Sequence, residues 1–129
     1  MSKPNTVLPL KSILVVDDFH TVLRTVKFSL EGKYKVYTLS KSEEVIDFLI
    51  TTKTDLIILE YLMPVFSGFD LIPMIHMLPE YKHTPIFIIT TEGTKTNVKK
   101  AISLGASDFI KKPFDPWELK QKIKSHIGV

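Results

Sequence analysis

ILVVDD, at residues 13–18, places four aliphatic residues directly before two carboxylates. A short run that is apolar at every position is typical of a strand buried on both faces, as in a parallel sheet. LIIL at residues 56–59 and IFII at 86–89 repeat that pattern, and FI at 109–110 is a shorter run of the same kind. YKVYTL at 34–39 alternates instead, which favours a strand nearer an edge. We therefore predict five strands.

Segments with helical spacing separate these strands. In the first segment, apolar residues recur every four positions from Val22 to Leu30, and Gly32 favours a stop after them. In the second, SEE at residues 42–44 places two acids where a helix would begin, which suits the positive end of the helix dipole.

The three remaining helices differ in their end signals. The third is predicted at about residues 69–78, and Pro73 inside it predicts a kink or a late start, because proline lacks the backbone donor. Gly105 is expected to stop the fourth helix. Asp115 is predicted to cap the fifth, with Glu118 as its partner in a capping box.

Strand and helix alternate five times along the chain, with short connections. This pattern predicts the α/β class, a doubly wound five-stranded parallel sheet with helices on both faces. Ligands of such sheets bind beyond the carboxyl ends of the strands.

Polar residues follow four of the predicted strands: Asp17 and Asp18, Glu60, Thr90, and Lys112. In a parallel sheet these residues converge at one edge. Three carboxylates this close cannot all ionise without a large cost in free energy, so a divalent cation or Lys112 must compensate them. Oxygen ligands suit Mg²⁺, and Lys and Thr suit phosphoryl oxygens. The residues therefore predict a site for magnesium and a phosphoryl group.

The order and spacing of four stretches resemble the receiver domain of two-component response regulators, in particular the stand-alone chemotaxis type. The stretches are ILVVDDF, DLIILEYLMPVFSGFDL, TPIFIITT and AISLGASDFIKKPF. The resemblance covers about residues 11–128 and implies a flavodoxin-like fold with strand order 2-1-3-4-5.

The resemblance also implies roles for single residues. It implies that Asp17 and Asp18 hold Mg²⁺ together with the carboxylate at position 60 and the backbone carbonyl of Leu62. Thr90 would hydrogen-bond a phosphoryl oxygen, and Lys112 would form an ion pair with it. Phe109 falls where the family has a switching aromatic residue, and a core-edge aromatic fits that position equally well. The peptide bond before Pro113 is often cis in such proteins.

One position departs from the family pattern. The family has a phosphoacceptor Asp at the end of the third strand, and this sequence has Glu60. The extra methylene moves the carboxylate by up to about 1.5 Å, and a displacement of about 1 Å can slow a positioned reaction about 100-fold. Glu60 thus either prevents normal phosphorylation and partly imitates the phosphorylated state by engaging Thr90 or Lys112, or accepts phosphate slowly, or belongs to an unused switch. Natural divergence and an engineered replacement of Asp both fit.

We interpret the chain as a non-enzymatic signalling module of a phosphorelay. The alternative is a small Mg-dependent α/β phosphatase or phosphotransfer enzyme. The expected partners are a histidine kinase or phosphotransfer protein, and a downstream target or second copy at the face of helix 4, strand 5 and helix 5. That face is predicted to be basic, which favours an acidic partner; its lysines are Lys95, Lys99, Lys100, Lys120, Lys122 and Lys124.

Composition limits the remaining function classes. The 129 residues fit one domain, predicted at 11–129 after an irregular lead-in at 1–10, and leave no room for an output domain, whether the chain stands alone or is an excised receiver. The absence of cysteine excludes disulfides and thiolate metal sites and fits the cytoplasm. The net charge is only +3 and the sequence contains no nucleic-acid-recognition motif, so we predict no direct contact with nucleic acid. No apolar run approaches the length of a membrane span.

Overall fold

Five parallel strands form a single sheet in the computed structural model, which describes residues 9–128. The order β2-β1-β3-β4-β5 and the parallel pairing of all neighbours confirm the predicted doubly wound topology. Every residue of β1, β3 and β4 is buried, as their unbroken apolar runs predict, whereas β2 lies at an edge and is partly exposed. The strands are β1 Ser12–Val16, β2 Lys35–Leu39, β3 Leu56–Glu60, β4 Ile86–Thr90 and β5 Asp108–Lys111.

Helices cover both faces of this sheet. The first and fifth pack on one face and the other three on the opposite face, each through an apolar stripe. A fully buried aliphatic side chain contributes about 1.5–3 kcal/mol, so these two apolar layers supply most of the stability. The helices are α1 His20–Leu30, α2 Val45–Thr51, α3 Gly68–His76, α4 Lys95–Leu104 and α5 Pro116–Ile127.

The third helix differs from its prediction. It starts at Gly68 and ends at His76, so the expected late start is wrong. A capping box sets the start: the Ser67 hydroxyl accepts from the Asp70 N–H, and the Asp70 carboxylate accepts from the Ser67 N–H. Pro73 lies within the helix and costs it one backbone donor.

Two other helix starts also depart in detail from the predictions. Asp115 caps α5 by accepting from the Trp117 N–H, as expected, but the predicted capping box with Glu118 is not formed. Ser42–Glu44 form a short 3₁₀ turn that precedes α2. In that turn the Ser42 hydroxyl donates to the Pro64 carbonyl and accepts from the Phe66 N–H, which fixes the loop after β3.

Most of the predicted lead-in at residues 1–10 lies outside the described residues; the two positions described there, Pro9 and Leu10, are exposed and irregular. Among the described helices, none is long and apolar enough to cross a membrane.

Candidate functional site

The carboxyl ends of β1, β3 and β4 bring the predicted polar residues together. Val16 pairs with Leu59, so Asp17 follows β1 beside Glu60 at the end of β3. Glu60 in turn pairs with Ile89, which places Thr90 next along β4. Asp17, Glu60 and Thr90 are all buried, with at most 5% of their surface exposed.

A single ammonium group holds the two buried carboxylates. Nζ of Lys112 donates to Oδ2 of Asp17 at 2.7 Å and to Oε1 of Glu60 at 2.6 Å. The side chain of Lys112 is 10% exposed, that of Asp17 is 0% exposed and that of Glu60 is 7% exposed. Water therefore screens these ion pairs poorly, and each charge depends on the others for compensation. The backbone joins the same groups, because the Lys112 N–H donates to the Thr90 carbonyl.

The pKa values of Asp17 and Lys112 are both raised, for different reasons. Burial raises the pKa of the Asp17 carboxyl, although hydrogen bonds from Lys112 and from the Phe19 N–H oppose that shift. Burial alone would lower the pKa of Lys112, but the hydrogen bonds and charges of Asp17 and Glu60 outweigh it and raise that pKa.

Glu60 is held at both of its oxygens. While Oε1 accepts from Lys112, Oε2 accepts from the Leu62 N–H at 2.9 Å. The first residue of α3, Gly68, packs against the backbone of Glu60. A Cβ atom on Gly68 would collide with the Glu60 carbonyl oxygen. The Gly68 N–H also donates to the Tyr61 carbonyl at 2.8 Å. The position of Glu60 is thus fixed from the side chain and from the backbone.

The other predicted site residues lie around this centre. Asp18, which follows Asp17 in the chain, is exposed, and the Leu62 side chain is about half exposed. The Thr90 hydroxyl accepts from the Glu92 N–H at 3.2 Å and is not hydrogen-bonded to Glu60. Phe109 is half-buried and packs against the apolar layer formed with α2, α3 and α4. The peptide bond between Lys112 and Pro113 is cis, as the resemblance implies.

One residue of the site, Phe19, was not predicted from the sequence. Its N–H donates to Oδ1 of Asp17, and its ring centroid lies 5.7 Å from Nζ of Lys112. An aromatic face at that distance stabilises an ammonium. The only sequence signal was its place directly after Asp17 and Asp18, and an apolar residue just before a helix does not by itself indicate a binding site.

Within residues 9–128, no group of three or more His, Cys, Asp or Glu side chains is arranged to hold a metal ion. The donors available at this edge are all oxygens: the Asp17 and Glu60 carboxylates, with Asp18 outside them. That chemistry fits a hard cation such as Mg²⁺.

Comparison with known proteins decides the family. The model of the response regulator receiver domain matches residues 13–124. This chain belongs to that family. As a receiver domain it is a module of two-component signalling, and its flavodoxin-like fold is that of the CheY proteins.

Individual relatives agree with this assignment. The receiver domain is 34% identical over 119 residues to the chemotaxis protein CheY1 of Helicobacter pylori, covering 90% of this chain and 96% of that protein. It is 35% identical over 118 residues to the transcriptional regulatory protein YvrH of Bacillus subtilis, covering 90% of this chain but only 48% of the regulator. The crystal structure of chemotaxis protein CheY4 of Vibrio cholerae superposes with a TM-score of 0.86 at 29% identity, covering 91% and 98% of the two chains. These relatives are named as signalling and regulatory proteins.

Proposed function

We propose that this receiver domain signals through protein contacts while Glu60, at the phosphoacceptor position, keeps its phosphorylation site in a fixed state. One observation carries the proposal: Nζ of Lys112 lies 2.6 Å from Oε1 of Glu60. The group that would pair with a phosphoryl oxygen is already bound to a carboxylate of the chain itself.

Ordinary phosphotransfer is disfavoured by this arrangement. The acceptor carboxylate of a receiver must attack the phosphorus of phosphohistidine in line, and such a reaction depends on positioning. Both Glu60 oxygens are engaged, one by Lys112 and one by the Leu62 N–H. Attack would require one of these bonds to break, and the added methylene displaces the nucleophile as well.

The same contact supports partial imitation of the phosphorylated state. A carboxylate carries one negative charge, whereas a phosphoryl group carries about 1.5 to 2. Glu60 engages Lys112 but not Thr90, whose hydroxyl bonds the Glu92 N–H instead. We therefore propose that the domain adopts the Lys112 half of the active arrangement, with Thr90 and Phe109 left unswitched.

We also propose that Asp17, Asp18, Glu60 and the backbone carbonyl of Leu62 hold Mg²⁺. The site carries one ammonium against two buried carboxylates, so a further positive charge is favourable there. Mg²⁺ would supply charge neutralisation for an incoming phosphoryl group, and the donor set is made of the oxygen ligands that it prefers.

Protein contact is proposed through the face formed by α4, β5 and α5. Lys95, Lys99 and Lys100 are exposed on α4, whereas Lys122 of α5 is paired with Asp108 at 3.0 Å. Lys120 and Lys124 of α5 have no carboxylate partner among the described residues, so unpaired basic charge lies on both helices of this face. It favours an acidic target, or a kinase or phosphotransfer protein with an acidic surface, over a second copy, because two such faces repel. The cysteine-free composition favours action in the cytoplasm.

The test of the phosphotransfer claim is the intact mass of the protein after incubation with Mg²⁺ and a small acyl phosphate donor. We expect no adduct on the unsubstituted chain and one phosphate on Glu60→Asp, which shortens the side chain by one methylene. An adduct on the unsubstituted chain that Glu60→Gln abolishes would show that Glu60 accepts phosphate and overturn the proposal. Failure of Glu60→Asp to label would show that Thr90 and Lys112 are wrongly assigned.

An enzymatic function is tested in a separate assay with a phosphate ester as substrate. A phosphatase or phosphotransfer enzyme would turn over many molecules of a phosphate ester per protein, whereas a receiver takes up at most one phosphoryl group. Continuous release of phosphate from a phosphate ester, lost on Asp17→Asn, would replace the signalling proposal with the enzyme alternative.

A further inference from the structure

A small pocket lies at the seam between α1 and α5, remote from Glu60. The end of α1 and the start of β2 form one wall, and the second half of α5 forms the other; its lining includes Ser29, Lys33, Tyr34, Lys120, Gln121 and Lys124. The Tyr34 hydroxyl donates to the Gly128 carbonyl at 2.9 Å, which joins the two walls. Because Tyr34 precedes β2, the pocket lies at the amino ends of the strands, opposite the Asp17 and Glu60 edge.

The charge of this pocket is entirely positive. Three lysines line it, and none of its lining residues is acidic. In the part of the chain that the structure describes, Lys33, Lys120 and Lys124 have no carboxylate within salt-bridge distance, whereas neighbouring Lys122 is paired with Asp108. Like charges gathered around one cavity repel, and an anion between them removes that repulsion.

The size of the pocket limits the anion that it can take. Its volume is about 100 Å³. Sites for nucleotides or drug-sized ligands start at about 300 Å³. Lysine ammoniums and the Gln121 amide are suitable donors to a compact oxyanion, and lysine binds phosphate as a point charge without a fixed geometry.

We propose that this pocket binds a phosphate-sized oxyanion, either free or as the terminal group of a phosphomonoester. The bound anion joins Lys33, in the turn between α1 and β2, to Lys120 and Lys124 on α5, and so ties that turn to the helix. This inference does not depend on the role of Glu60, because the two sites lie at opposite edges of the sheet.

The test is an amide NMR titration of the full chain with inorganic phosphate against chloride at equal ionic strength, repeated with glycerol phosphate. We expect saturable shifts at Lys33, Tyr34 and Lys124 with phosphate. The double variant Lys120→Gln/Lys124→Gln should weaken binding at least tenfold. Lys99→Gln/Lys100→Gln, which removes the same charge from α4, should leave it unchanged. Shifts with glycerol phosphate as well assign the terminal group of a monoester, and shifts with phosphate alone assign the free ion.

Several outcomes would overturn the proposal. These are shifts that grow linearly without saturation, shifts of equal size with chloride, and shifts confined to the Thr90 and Lys112 region. If Lys99→Gln/Lys100→Gln weakens phosphate binding as much as the α5 double variant does, the binding depends only on the net charge of the protein. Lys33→Gln, on the opposite wall, provides a second variant should the α5 pair fail to fold, and it too must weaken binding.

Discussion

The Lys112 ammonium lies 2.6 Å from Oε1 of Glu60, in a site where the two side chains are 10% and 7% exposed. The same ammonium also serves Asp17, so one positive charge compensates two buried negative ones. Breaking a buried ion pair from one side leaves an uncompensated charge and costs more than the pair contributes when intact. Lys112 is therefore central to the stability of the site as well as to its signalling state.

Lys112→Met should lower the free energy of unfolding at pH 7 by about 3 kcal/mol, because it leaves Asp17 and Glu60 buried without a cation. Urea unfolding measures the change. Lys111→Met is the matched control, since Lys111 is exposed and its aliphatic stem, which lies against Gly93, is retained by methionine. Equal losses in the two variants would contradict the role of the ion pairs.

Asp17→Asn should stabilise the fold at pH 7, by on the order of 1 kcal/mol. Burial raises the pKa of Asp17 in the folded state, so the ionised form is less favourable there than in the unfolded chain. The single amide oxygen of asparagine can still accept from the Phe19 N–H, as Oδ1 of Asp17 does, and Lys112, which loses Oδ2 of Asp17, keeps Glu60.

The sign of the pH dependence follows from that raised pKa. Protonation of Asp17 favours folding below its ordinary pKa, and this contribution is lost as the pH rises through the folded-state value. The stability gap between Asp17→Asn and the unsubstituted chain should thus shrink as the pH falls from 7 toward 4. Asp18→Asn, which removes one charge from the adjacent and exposed carboxylate, is the matched control. A gap that widens toward acid pH would contradict the sign.

Gly68→Ala should destabilise the domain by about 1–3 kcal/mol, because its Cβ meets the rigid backbone carbonyl of Glu60. Gly93→Ala provides the comparison. A Cβ there also meets neighbouring atoms, but they belong to the flexible Lys111 side chain, which can move aside. Thermal unfolding should rank Gly68→Ala well below Gly93→Ala, and the reverse order would show that α3 can retreat from Glu60.

Val65 adopts a left-handed backbone conformation, with φ at 71°. A β-branched residue is strained there by about 1–2 kcal/mol, and asparagine tolerates the conformation better. Val65→Asn should therefore raise the free energy of unfolding by about 1 kcal/mol. Leu62→Asn, another half-exposed apolar residue of the same loop without a positive φ, should give no gain. Destabilisation by Val65→Asn would show that packing of Val65 outweighs the strain.

The sequence predicted the sheet well because its central strands carry unbroken apolar runs, and the convergence of Asp17, Glu60, Thr90 and Lys112 followed from the parallel direction of the strands that they end. The sequence left open whether Lys112 or a divalent cation compensates the charge of the carboxylates, because this depends on whether the Lys112 ammonium lies close enough to them. Local chemistry that joins distant segments escaped prediction. Ser42, which braces Pro64 and Phe66, looked like an ordinary helix start.

The hydrogen bonding at the start of α5 and the ion pair of Lys122 could not be predicted correctly from the sequence. Glu118 stands at the capping-box spacing from Asp115, but the Asp115 carboxylate bonds the Trp117 N–H and no box forms. Lys122 belonged to an apparently uniform basic helix, and its pairing with Asp108 depends on β5 passing beside α5. In both cases the contact that forms depends on the three-dimensional positions of the two groups, which the spacing of residues along the sequence does not give.

Whether Glu60 holds the Lys112 ammonium is tested most directly by NMR of the lysine side-chain ammonium groups. We predict one ammonium resonance with slow hydrogen exchange, absent from Lys112→Met. In Glu60→Gln that resonance should shift and exchange faster, because a neutral amide holds the ammonium more weakly than a carboxylate does. A Lys112 ammonium that exchanges as fast as those of exposed lysines, or that Glu60→Gln leaves unchanged, would contradict the central claim.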